Sequence, residues 1–129
     1  MILNNKGQSL VLFIIIIPII LGIMAIVIDI GNIIYENQEL DNINRIVLDY
    51  GLDSITDRNI IDNMKNLAYI NKDNIDVDIK FIDNEFYIES SYYVKGIFSN
   101  IFNIEGYLVK SKYKGYIGDD NKNIIKEIK

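Results

Sequence analysis

The side chains that could do chemistry here are few in kind. The 129-residue chain has no His and no Cys. Without His it lacks the commonest general base and the commonest metal ligand. Without Cys it has no thiol nucleophile, thiolate zinc site or disulfide. Carboxylates, lysines and tyrosines remain. Asp73, Asp76 and Asp78 stand close together, but without the spacing and central glycine of a calcium loop. Lys110, Lys112 and Lys114 alternate along one stretch. They read either as an anion-binding row or as partners for Asp76, Asp78 and Glu89 across an antiparallel sheet, where opposite charges help fix register. No Gly-rich phosphate loop, Walker pattern or nucleophile elbow occurs. No carboxylate pair stands apart from strand positions. The residues therefore point to no catalytic group, no metal, no cofactor and no small-molecule substrate, and so away from an enzyme.

Charge narrows the partners further. The formal net charge is −5. Every acidic residue lies at Asp29 or later, and Lys6 is the only basic residue before it, which leaves 12 basic against 18 acidic side chains beyond. An acidic domain has no clustered cations with which to neutralise phosphates, so nucleic acid is not an expected partner.

The elements that position these groups begin with an apolar run. Residues 7–28 carry no charge. As a helix they would reach about 33 Å, close to the roughly 30 Å of a bilayer core. Four consecutive isoleucines, Ile14 to Ile17, cover every face, which a soluble core helix rarely needs. A single membrane span is expected. No small-x-small cleavage site follows it, so the span should be retained. Lys6 and the amino terminus flank one side, and Asp29, Glu36, Glu39 and Asp41 the other. The positive-inside bias then places the N-terminus in the cytoplasm and the remainder outside the cell membrane. Pro18 removes one helical hydrogen bond, with Gly22 one turn later, and softens the span. Asp29 is expected at the outer lipid boundary as a solvated carboxylate.

The fold class expected is α+β. One long helix should run from about Gln8 to Tyr50, leaving the membrane as a stalk over about residues 29–50. Ile33, Leu40, Ile43, Val47 and Tyr50 form its apolar seam, and Gly51 is a candidate C′ residue. A second helix should start near Thr56 or Asp57, either of which can cap it, with Ile60, Ile61, Met64, Leu67 and Ala68 at helical spacing. Ile75, Val77, Ile79 and Phe81 then alternate with Asp76, Asp78 and Lys80, and Asp83-Asn84 marks a tight turn. Phe86, Ile88, Ser90, Tyr92 and Val94 alternate next, which completes a hairpin. A third strand should place Tyr107, Val109, Ser111 and Tyr113 on one face. The sheet thus has about three strands over about residues 75–118. The crossover Gly96 to Gly106 carries Ile97, Phe98, Ile101 and Phe102 on one stripe and should cover an end of the sheet; the alternative is that it touches the membrane surface or a partner subunit, since two exposed phenylalanines would form an interaction patch. The polar tail from Gly118 is expected to fray. Residues 1–28 form the cytoplasmic tip and anchor, and residues 29–129 the extracytoplasmic domain.

Gly7-Gln8-Ser9, the aliphatic run through Phe13, then Pro18, Gly22 and the stretch Val27 to Tyr35 with its Asp29-x-Gly31 resemble the N-terminal segment of TadE/TadG-like proteins. These are pseudopilin-like components of the bacterial tight-adherence pilus machinery. The resemblance covers residues 6 to about 51; beyond that it holds only in outline. It implies a pilin-like architecture, a membrane anchor and other pilin-like subunits or pilus-assembly proteins as partners. It also implies a prepilin-peptidase site between Gly7 and Gln8. Processed members carry Glu five residues after the cut, where Leu12 stands here, so an uncut, accessory role is expected. The function expected is a structural one in a tight-adherence type pilus or related secretion apparatus. The alternative is a membrane-tethered extracytoplasmic module that binds a ligand or a cell-wall polymer.

Overall fold

The computed structural model describes residues 5–127. Its first element, α1, is a single helix over Asn5–Asp53, 49 residues long. The Ile- and Leu-rich first half has no polar face to lose, and Pro18 lies inside the helix without ending it. The large apolar side chains from Leu10 to Ile28 are all exposed, and no residue among them is buried. This half is long and apolar enough to cross a membrane, and none of it is buried within the protein. The amino terminus and the Lys6 side chain, which carry the orientation, lie outside the described residues.

The second half of α1 changes character because its apolar residues fall on one side. Leu40, Ile43, Val47, Leu48 and Leu52 are buried, whereas Tyr50, expected on the seam, is exposed. A second helix, α2, covers Ile60–Asn71. It starts later than its sequence suggests, after Asn59, whose side chain makes no cap. Asp57 still steadies the start, accepting from the Asn59 N–H at 3.0 Å and from Asn63 Nδ2 at 3.1 Å. Ile60, Met64 and Ala68 face the core. Gly51 does not end α1 as expected. It lies inside the helix, where a Cβ would stand 2.6 Å from Met64 Sδ and Cε. Here α2 crosses α1, with the end of the Met64 side chain lying against the glycine.

Four antiparallel strands follow, β1 (Asp76–Ile82), β2 (Glu85–Val94), β3 (Tyr107–Gly118) and β4 (Asn121–Glu127), in the order β1-β2-β3-β4. The expected three-strand sheet gains β4 from the tail that was expected to fray. Both tight hairpins turn on two left-handed residues, Asp83-Asn84 at φ 52° and 63° and Asp119-Asp120 at φ 51° and 63°. Such turns match the right-handed twist of the strands they join. In β2, Phe86, Ile88, Ser90 and Val94 are buried; in β3, Val109, Ser111 and Tyr113 are. This alternate set packs on α1, with Ile79 of β1 and the partly buried Ile124 of β4 extending the same face.

β2 and β3 run along the helix. At one end Gly115 lies under α1, where a Cβ would be 3.3 Å from Leu52 Cδ1 and 3.5 Å from Leu48 Cβ. The last β2–β3 pair at the other end is Val94 with Tyr107. Beyond it the crossover forms a short helix, α3 (Ile97–Ile101), and Gly106 at φ +125° turns the chain into β3. The crossover lies beyond this end of the sheet, and α3 packs against α1. Inside the helix–sheet interface, Asn44 is fully buried and its Nδ2 donates to the Ser111 carbonyl at 3.1 Å. The Ser111 hydroxyl donates in turn to Asp41 Oδ1, and Lys126 of β4 reaches Asp41 Oδ2 at 2.9 Å.

Truncating Leu48, fully buried between α1 and β3, should cost about 2–5 kcal/mol as Leu48→Ala. Ile46→Ala, 48% exposed on the opposite side of the same turn, should stay within about 0.5 kcal/mol of the parent. Denaturant unfolding of the detergent-solubilised chain compares the two.

Candidate functional site

The chain's most organised polar constellation lies where the apolar run ends. Asp29, expected as a solvated carboxylate, is only 3% exposed. Its Oδ1 accepts the Ile97 N–H at 2.7 Å, and its Oδ2 accepts the Phe98 N–H at 3.1 Å and the Tyr107 hydroxyl at 3.3 Å. A side chain on α1 thus caps the first turn of α3, 68 residues later. The logic is that of an N-cap, in which a carboxylate satisfies amides that have no helical partner. Here the cap is supplied from another element.

The approach depends on Gly96. Its backbone is extended, so any residue could adopt it, but a Cβ would sit 2.6 Å from Asp29 Cγ and both carboxylate oxygens. Ser99 completes the turn. Its Oγ accepts the Gly96 N–H at 2.7 Å and donates to the Gly96 carbonyl at 2.9 Å. Phe98 and Phe102 stack at 5.9 Å with an interplanar angle of 6°.

Burial pushes the Asp29 carboxyl up, but the Ile97 and Phe98 amides and the Tyr107 hydroxyl outweigh it and hold it below its ordinary value. The Tyr107 hydroxyl is raised by its own desolvation and by the neighbouring Asp29 charge. Both directions favour a carboxylate that stays ionised and a phenol that stays a donor.

About two and three helical turns further along α1, Glu36 and Glu39 meet Lys72 at the end of α2. Its ammonium lies 2.6 Å from Glu36 Oε2 and donates to Glu39 Oε2 at 3.2 Å. It also sits 4.0 Å above the Tyr92 ring. Desolvation lowers the Lys72 pKa, and the two glutamates more than offset this, so it lies above its ordinary value. A groove of about 480 Å³ opens beside these residues, lined in part by Asn32, Glu36, Asn74, Tyr92 and Lys95.

The lysine row meets fewer partners than its spacing suggested. β2 separates β3 from β1, so Asp76 and Asp78 are out of reach and Glu89 alone serves Lys110 and Lys112, each at 3.9 Å. Asp78 stands directly opposite Glu89. The shallow 310 Å³ depression there has Asp78, Glu89 and Glu127 beside Lys80 and Lys112, so it presents no single-sign field for an anion. Among the described residues, no three His, Cys, Asp or Glu side chains gather as metal ligands.

Of the residues singled out by sequence, Asp29 alone makes tertiary contacts of this kind. Gly7 and Gln8 lie within α1, and Gln8 is exposed. Phe13 and Tyr35 are exposed, and nothing lies within 4 Å of where a Cβ of Gly7, Gly22 or Gly31 would be. Pro18 is likewise on the bare half. Leu12 is 57% exposed, among other apolar side chains. Gly96 and Lys72 escaped sequence reasoning. Asp29 had a signal: it precedes Ile33 by four residues and so heads the buried stripe. Compared with models of known families, with curated proteins and with solved structures, the chain finds no match.

Removing the cap should free α3 selectively. Asp29→Ala and Gly96→Val should each speed hydrogen exchange at the Ile97 and Phe98 amides, while core amides such as Ile88 stay protected. The pH dependence has a fixed sign. The folded Asp29 carboxyl titrates below its ordinary value of about 3.9, so the cap's contribution is present above that value. It is lost as pH falls through the lower folded value. Protection of the two amides should therefore persist through pH 5 and disappear only below about 4, as an exchange series over that range will show.

Proposed function

We propose that the protein is a single-pass membrane-anchored structural subunit, of the minor-pilin or pseudopilin kind used by tight-adherence pili. Residues 7–28 lie in lipid, the N-terminus faces the cytoplasm, and residues 29–129 stand outside. One observation carries the reading. A single helix is bare and apolar all round in its first half, and in its second half serves as the buried spine of an α+β domain. A helix that runs unbroken from the apolar half into the domain carries position from the membrane to the outer domain without an intervening loop. Its bare half has every face available to neighbouring spans, with Gly22 and Gly31 leaving space for close approach; small residues favour such packing in lipid. The resemblance of residues 6 to about 51 to TadE/TadG-like proteins supports the same assignment. No chemistry is required of the domain, which suits a chain without His or Cys.

The span remains attached in this reading, since Leu12 takes the place of the Glu found in processed relatives. Intact mass of the membrane-purified protein should match the uncut chain; a mature chain starting at Gln8 would overturn that part. The protein should resist alkaline extraction. Photoreactive residues at Ile16 and Ile20, which are 36% and 49% exposed, should cross-link to other pilin-like spans in the native membrane. A tethered binding module would share the anchor but yield no such products.

A further inference from the structure

The strand register places the whole crossover, residues 95–106, beyond the last β2–β3 pair, Val94 with Tyr107. That end of the sheet is the one beside Asp29, the first residue after the uncharged run. The Ile97 and Phe98 amides are within hydrogen-bond distance of the Asp29 carboxylate. α3 is therefore held at the depth where the apolar half of α1 begins, and cannot stand off from it.

The crossover exposes what a water-facing loop avoids. Ile101 is 67% exposed, Phe102 66% and Ile104 58%. On α1 itself Ile28, Ile30 and Ile34 are about half exposed at the same level, so an apolar strip of the helix surface continues past Asp29 beside the exposed Asn32. Loop residues of this kind at one end of a domain mark an interaction surface. Continuity with the lipid-facing half of α1 specifies which.

We propose that the α3 crossover is a second membrane contact, in which Ile101, Phe102 and Ile104 insert into the acyl boundary of the outer leaflet beside the span. The proposal rests on residues 7–28 being the anchor. The Asp29 cap then has a role beyond folding: it locks the crossover to the helix so that the sheet stands at a set tilt and height above the bilayer. Apolar side chains in the interfacial layer bind by burying area in the headgroup and acyl boundary. Tyr107, whose hydroxyl is held by Asp29, sits where amphipathic rings favour the interface.

The chain has no Trp, so one introduced indole reports its own surroundings. Phe102→Trp, Ile16→Trp and Ile82→Trp would be compared in phosphatidylcholine–phosphatidylglycerol vesicles with and without brominated acyl chains. Ile82 is 52% exposed at the β1–β2 turn, the end of the sheet away from α3. The expected result is blue-shifted emission and strong bromolipid quenching for Phe102→Trp and Ile16→Trp, with neither for Ile82→Trp. Asp29→Ala added to Phe102→Trp should reduce the quenching. If Ile16→Trp is quenched while Phe102→Trp emits like Ile82→Trp, the anchor stands and the second contact is overturned. If Ile16→Trp is itself unquenched, the anchor reading fails. Blue-shifted Phe102→Trp emission without quenching, reversed by dilution into excess lipid, would assign the surface to a second copy of the chain and also overturn the proposal.

Discussion

A carboxylate taken out of water must be compensated by donors, because a buried charge without them costs far more than a fold of this size can supply. Asp29 meets that demand with two backbone amides from the β2–β3 crossover and the phenol of Tyr107 at the start of β3. The arrangement satisfies both sides. The carboxylate finds its donors, and the first turn of α3 finds an acceptor that its own sequence, starting after Gly96, does not provide. The cap also sets geometry. It ties the far end of the β2–β3 ladder to one residue of α1, the residue at which the helix stops being apolar all round. The depth of the outer domain along α1 follows from this contact together with the core.

That core is a helix laid along a sheet. Leu40, Val47, Leu48 and Leu52 of α1 face Phe86, Ile88, Val109 and Tyr113 of the sheet, and Met64 and Ala68 of α2 close one side. Two glycines make the contacts close for steric reasons. Gly51 admits the Met64 thioether and Gly115 admits the leucines of α1. Polar ties bracket this apolar region. Asn44 and Asp41 join α1 to Ser111 of β3, and Lys72 joins the end of α2 to Glu36 and Glu39. The desolvated Lys72 is paired on one side by carboxylates and on the other by the Tyr92 ring. Such directional contacts fix rotation and height of one element on another, which apolar packing alone specifies loosely.

Much of this fold was legible because the patterns are periodic and local. The period-two alternation from Ile75 to Val94 and from Tyr107 to Tyr113 matches the buried face of β2 and β3 and, in β1, that of Ile79 but not of Phe81, which is exposed beside the turn, and Asp83-Asn84 marked the β1–β2 hairpin. The fourth strand was missed although Asp119-Asp120 repeats the same turn chemistry. Its residues, Asn121 to Glu127, are mostly polar because β4 is an edge strand with water on much of it. Gly51 was misread for a related reason. A glycine late in a helix signals a C-cap when only local sequence is considered, and a close crossing when a second helix lies over it.

The sequence by itself determined the long helix, its bare apolar half, the α+β class and the absence of His and Cys chemistry, since each follows from residue type and short-range spacing. It did not determine that Asp29 is buried, that Gly96 makes room for it, that Lys72 bridges two helices, or that Glu89 alone meets the lysine row. Those depend on which elements become neighbours. A carboxylate after an apolar run looks the same in a chain whether it faces water or another segment's amides. Only the folded chain brings residues 29, 96 to 98 and 107 together, because the strand register and the helix–sheet packing decide jointly where the crossover lands.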